Sequence, residues 1–92
     1  MSEYMDIETE LGDGGVILFH TNLKLTTDGV EEFYDSAAEL DEGSPVAQAM
    51  VVVEGIGTVW MSGGEMAITT QPDADWHALI ADVTAALKDF FL

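Results

Sequence analysis

Three short segments carry side chains whose types and spacing could do chemistry. Asp73-Ala74-Asp75-Trp76-His77 sets two carboxylates and an imidazole close together, where they could converge on a metal ion at the start of a helix. Helix capping calls for the same residues: acids at a helix N-terminus accept from its free N–H groups and complement the macrodipole, worth about 0.5–2 kcal/mol for the cap. Capping is the simpler expectation. No metal is therefore expected, and Asp73, Asp75 and His77 stand as the weak candidate ligands should one bind. His20, Asn22 and Lys24 alternate at period two, so on an extended strand they would point one way and could bind a small anion or a partner's carboxylate. A solvated sheet face would show the same alternation. Gly12-Asp13-Gly14-Gly15 is glycine-rich, but a strand-like run follows it where a phosphate loop would open a helix, so a turn is expected. No Ser-His-Asp order with a supporting motif and no calcium-loop pattern is present. No catalytic residue can be named, so a non-enzyme without a cofactor is expected.

The composition narrows the classes further. Eighteen aspartates and glutamates stand against two lysines and no arginine, a net charge of −16 over 92 residues, while 48% of the residues are hydrophobic. Charge of this density repels itself in dilute buffer. Molar salt shrinks the Debye length to about 3 Å and screens most of that repulsion, so the composition points to a salt-adapted globular protein of an extreme halophile's cytoplasm. Without cysteine there is no disulfide, no thiolate zinc site and no thiolate to hold an iron–sulfur cluster. Lys24 and Lys88 are the only basic side chains besides histidine, too few to expect nucleic acid or an anionic membrane as a partner. The N-terminal residues lack the basic and apolar regions of a signal peptide. No run approaches the roughly 20 apolar residues of a membrane span, so a cytoplasmic chain folding as one domain, residues 1–92, is expected.

The elements that must position these residues follow from periodicity and turn chemistry. A strand from about Met5 to Leu11 and a second over Val16-Ile17-Leu18-Phe19-His20 flank the Gly12–Gly15 turn. Leu23 and Leu25, alternating with polar residues, and Val30 to Tyr34 predict a hairpin over residues 23–34 across Asp28-Gly29. Asp35 to Glu42 reads as a solvated loop or a single helical turn. Ser44-Pro45 predicts a helix start, Val46, Met50 and Val53 its apolar stripe, and Gly55 its stop. Thr58-Val59-Trp60-Met61 and Met66-Ala67-Ile68-Thr69-Thr70, around Ser62-Gly63-Gly64-Glu65, predict a hairpin. Trp76, Leu79, Ile80, Val83, Leu87, Phe90 and Phe91 fall on one face of a final amphipathic helix. The order implies an α+β fold: a mostly antiparallel sheet of about four or five strands, with two main helices packed on one face and the other face open around Thr58 and Trp60.

Several of these segments, taken in order, resemble a known family. Thr21-Asn22-Leu23-Lys24-Leu25, Gly43-Ser44-Pro45-Val46-Ala47-Gln48, Val53-Glu54-Gly55-Ile56-Gly57-Thr58-Val59-Trp60, Glu65-Met66-Ala67-Ile68-Thr69 and Asp75-Trp76-His77-Ala78-Leu79 are similar to the N-terminal domain of Nfu/NifU-type iron–sulfur cluster scaffold proteins. The resemblance spans about residues 21–91. The family's Pro-Asn-Pro-Asn lead-in is replaced by Phe19-His20-Thr21-Asn22, and residues up to Gly15 have no counterpart. Full-length relatives carry the cluster on a separate C-terminal Cys-x-x-Cys domain, which this sequence lacks. The resemblance thus implies a stand-alone, haloarchaeal-like version that is not a scaffold by itself. It would be a non-catalytic accessory module binding an iron–sulfur scaffold or client protein, with Asn22, Lys24 and Trp60 as the expected partner-binding residues. The alternative is a small-ligand or metal-binding domain unrelated to cluster assembly, using His20, Lys24 or the Asp73–His77 segment.

Overall fold

The computed structural model describes residues 6–27 and 29–91. Two expectations touch residues outside that range: the start of the first strand at Met5, and Asp28 of the Asp28-Gly29 turn. Five strands form one antiparallel sheet, β1 (Ile7–Leu11), β2 (Val16–Thr21), β3 (Glu31–Tyr34), β4 (Ile56–Ser62) and β5 (Glu65–Thr70), in the order β1-β2-β5-β4-β3. Three helices accompany them: α1 (Ala37–Leu40), α2 (Pro45–Ala49), continued by a 3-10 turn at Met50–Val52, and α3 (Trp76–Phe91). The α+β architecture read from the sequence is the one observed.

The core lies between one sheet face and the helices. Ile17 and Phe19 of β2, Met66 and Ile68 of β5 and Val59 and Met61 of β4 meet Val46, Ala47 and Met50 around α2 and Leu79, Val83 and Leu87 of α3. Each of those strand pairs is separated by two, the spacing that places side chains on one face of a strand. In α3 the spacing is four, one turn of helix. Helix α2 starts at Ser44, whose hydroxyl accepts from the Ala47 N–H at 3.4 Å, with Pro45 occupying the first turn. The chain leaves this helix through Gly55 at φ 91°, a conformation that L side chains rarely adopt. Helix α1 is the single turn allowed for in the acidic segment, anchored by the fully buried Leu40.

The hairpin expected over residues 23–34 does not form. Strand β3 pairs with β4, Phe33 opposite Trp60, and residues 22–27 belong to no strand. The β4–β5 hairpin is inserted between β2 and β3, so the chain must cross the end of the sheet to reach the far edge. It does so by bonding to the hairpin's turn: Thr21 N–H and Leu25 N–H donate to the carbonyls of Gly64 and Gly63, both at 2.9 Å, and Thr26 Oγ1 accepts from Gly63 N–H at 2.8 Å. Alternation of Leu23 and Leu25 reflects this plug: Leu25 and Thr26 are buried while Asn22 and Lys24 are exposed. A Cβ at Gly64 would lie 2.5 Å from the Thr21 carbonyl oxygen, so the crossing requires glycine there.

Candidate functional site

The open face of the sheet follows from the strand registers. Pairings Leu18↔Ala67, Ala67↔Trp60 and Trp60↔Phe33 line up one residue from each of β2, β5, β4 and β3 in a row across the strands. Three inter-strand spacings make this row about 14 Å long. None of the four belongs to the buried core or packs against it. Phe33 is 60% exposed, and Leu18, Ala67 and Trp60 are half-buried among their neighbours.

The two flanks of the row differ. On one side the register places Glu8, His20, Glu65, Ser62 and Glu31, with Glu10 beside Leu18 at the β1 end. Here His20 Nδ1 lies 2.7 Å from Glu65 Oε1, and the Trp60 indole N–H donates to Glu31 Oε1 at 3.1 Å. The latter bond holds the indole against the β3 edge, next to the exposed Phe33 ring. On the other side are Val16, Thr69 and Thr58, the two threonine hydroxyls sharing a hydrogen bond while Thr69 Oγ1 accepts from the Thr58 N–H at 2.9 Å. The face thus presents an apolar row, an acidic flank and a neutral flank.

The residues singled out in the sequence are distributed over three places. Trp60 sits on the open face between Ala67 and Phe33, and His20 on its acidic flank. Asn22 and Lys24 do not continue the polar strand face begun by His20, because the strand ends at Thr21. Asn22 ties the crossing segment to the chain before β1, its Oδ1 accepting from Asp6 N–H at 2.9 Å and its own N–H donating to the Asp6 carbonyl at 3.2 Å. Lys24 lines a cleft of about 310 Å³ with Leu25, Glu32, Ser44, Pro45 and Phe90. Inside it Glu32 accepts from the hydroxyls of Ser44, at 2.6 Å, and Tyr34, at 2.5 Å. Lys24 and Trp60 therefore do not share a surface patch.

Asp75 caps α3. Its Oδ1 accepts from His77 N–H at 3.0 Å and Ala78 N–H at 3.4 Å, and its carbonyl from Leu79 N–H at 3.0 Å. The His77 ring stacks on Trp76, centroids 3.6 Å apart, with its Nδ1 4.0 Å from Asp75 Oδ1. Among the described residues, no group of three or more His, Cys, Asp or Glu side chains is placed to hold a metal ion. Among the same residues, no helix is long and apolar enough to cross a membrane. Sequence reasoning missed Phe33, Leu18 and Ala67 as members of Trp60's surface, since the pairing that aligns them depends on the sheet order. The exposed aromatic at the alternate position of a short, acidic strand was the available signal.

The family model for the N-terminal part of the scaffold proteins Nfu and NifU matches residues 13–92. The chain belongs to that family. The match begins before the Thr21–Leu25 segment that carries the sequence resemblance, so β2 and the turn preceding it also fall within the Nfu N-terminal domain. No curated protein matches the chain. Among solved structures, the crystal structure of protein SAV1430 from Staphylococcus aureus is similar with a TM-score of 0.68 and 15% identity, covering 89% of this chain and 94% of that one. At that identity the two share a fold. The open sheet face and its aromatic row are features of this Nfu N-terminal domain's own residues.

Proposed function

We propose that this Nfu-type N-terminal domain is a non-catalytic accessory module of iron–sulfur cluster assembly, docking a scaffold or client protein through its open sheet face, with Trp60 as the anchor. The observation that carries the reading is the row of Leu18, Ala67, Trp60 and Phe33 lying outside the core, on a sheet whose other face carries the core. Aromatic residues at the centre of an apolar patch supply most of the energy at protein contacts, because a large rigid ring leaves water at small entropic cost. Family membership supplies the setting, and the absence of cysteine from the sequence leaves cluster ligation to a partner. The module works in the cytoplasm at high salt, in keeping with its charge of −16. Lys24 and Asn22 contribute to partner binding through a second contact, at the sheet end they occupy.

Affinity capture from the native high-salt lysate, with wild-type and Trp60→Ala baits side by side, tests this. Cluster-assembly or cluster-carrying proteins should be retained by the wild type and fall about tenfold or more in the variant. Equal recovery by both baits would remove Trp60 from the contact. A calorimetric titration of the free protein with zinc, manganese and inorganic phosphate should be flat at millimolar ligand; saturable heat would favour the small-ligand reading instead.

A further inference from the structure

Resting on that docking reading, we infer that the occupant of the open face is a helix carrying an apolar stripe edged by Lys or Arg along one side only. Three observations lead there. The chain carries eighteen acids against two lysines, yet Leu18, Ala67, Trp60, Phe33, Val16, Thr69 and Thr58 occupy neighbouring positions of the sheet with no charge among them. A charge-free area on such a surface is what a desolvated contact requires, since each acid left beneath a partner would have to be paired or neutralised.

The second observation is the asymmetry of the flanks. Glu8, Glu65 and Glu31 line one side of the apolar row, and the threonine pair with Val16 lines the other. Complementary potentials across an interface fix orientation as well as rate of association, so cations belong on one edge of the partner and neutral groups on the other. The third is the length and direction of the row. It crosses four strands over about 14 Å, matching roughly three turns of helix at 5.4 Å per turn. Strands β2, β5 and β4 are paired on both sides within it, so over that stretch contact runs through side chains. A helix layer closes the open side of a sheet covered on its other face, as α2 and α3 do here. A second copy of this chain is the poorer occupant, because it offers no basic edge: Lys24 lines the cleft with Glu32, and Lys88 is the single basic residue in the last turn of α3.

The test uses the full chain with Trp76→Phe, which leaves Trp60 as the lone indole and its emission as the binding signal. The probes are two synthetic helical peptides of about four turns, identical in their leucine stripe and edged along one side by lysine in one and by glutamate in the other. Two triple variants introduce the same charge change in different places: Glu8→Lys, Glu31→Lys and Glu65→Lys on the acidic flank, or Glu54→Lys, Asp82→Lys and Asp89→Lys at exposed positions outside the sheet. Circular dichroism selects a salt concentration at which all three proteins are folded. The parent should prefer the lysine-edged peptide by about tenfold or more, the flank triple should invert that preference, and the distant triple should keep it. A preference that falls equally in both triples, an unchanged preference in the flank triple, or peptide binding that leaves Trp60 emission untouched would overturn the inference. So would a Trp60 signal that depends on protein concentration without peptide, which would assign the face to a second copy. Loss of the edge preference with Trp60-dependent capture of cluster proteins intact would overturn this inference and leave the docking reading standing.

Discussion

Asp75 fixes the start of α3. Its carboxylate accepts from two backbone N–H groups of the first turn, the pattern of an N-cap. Asp75→Ala should therefore cost about 1 kcal/mol in urea-induced unfolding, while Asp73→Ala, at an exposed position before the cap, should change stability by less than about 0.5 kcal/mol. Trp60 is the contrasting case. Its single polar atom is satisfied by Glu31 and its ring lies on the open face, so its truncation should act on binding far more than on folding. The capping role was legible in the sequence, because an acid just before an amphipathic run has a stereotyped use. Which aromatics cluster around Trp60 was not, since Phe33 reaches it only through a pairing of residues far apart in the chain.

At the scale of elements, helices and tight hairpins were readable and the crossing segment was not. The four-residue spacing of Leu79, Val83 and Leu87 and the Gly63-Gly64 turn are local signals, and local signals survive into the fold. Leu23 and Leu25 also alternate, but what they satisfy is the end of a sheet whose order is β1-β2-β5-β4-β3, and an alternation of two cannot distinguish a strand from a plug. The distinction lies in hydrogen bonding. Thr21 and Leu25 spend their N–H groups on the β4–β5 turn, where an adjacent strand would have spent them on β3. This makes Gly64 the sensitive position of the crossing: with a Cβ 2.5 Å from the Thr21 carbonyl oxygen, Gly64→Ala should destabilise by about 1–3 kcal/mol in the same unfolding assay. Gly14→Ala, where a Cβ meets nothing within 4 Å but φ is 72°, should cost less, about 1 kcal/mol from backbone strain alone.

At the scale of the whole molecule, a charge of −16 is carried on a fold whose sheet packs a core on a single face. The proposed salt adaptation predicts that the melting temperature rises as NaCl goes from about 0.1 M to about 1 M, over which the Debye length falls from about 10 Å to about 3 Å; a melting temperature independent of salt would contradict it. The proposed docking puts a cluster-assembly partner on the open sheet face, away from α3. Hydroxyl-radical footprinting of the captured complex reads this directly, because oxidisable aromatics lie on both sides: Phe33 and Trp60 on the open sheet face, Trp76 and Phe90 on α3. Protection of Phe33 and Trp60 with Trp76 and Phe90 unchanged is the predicted result. Protection confined to Trp76 and Phe90 would place the partner on the helical side and contradict the assignment of the sheet face.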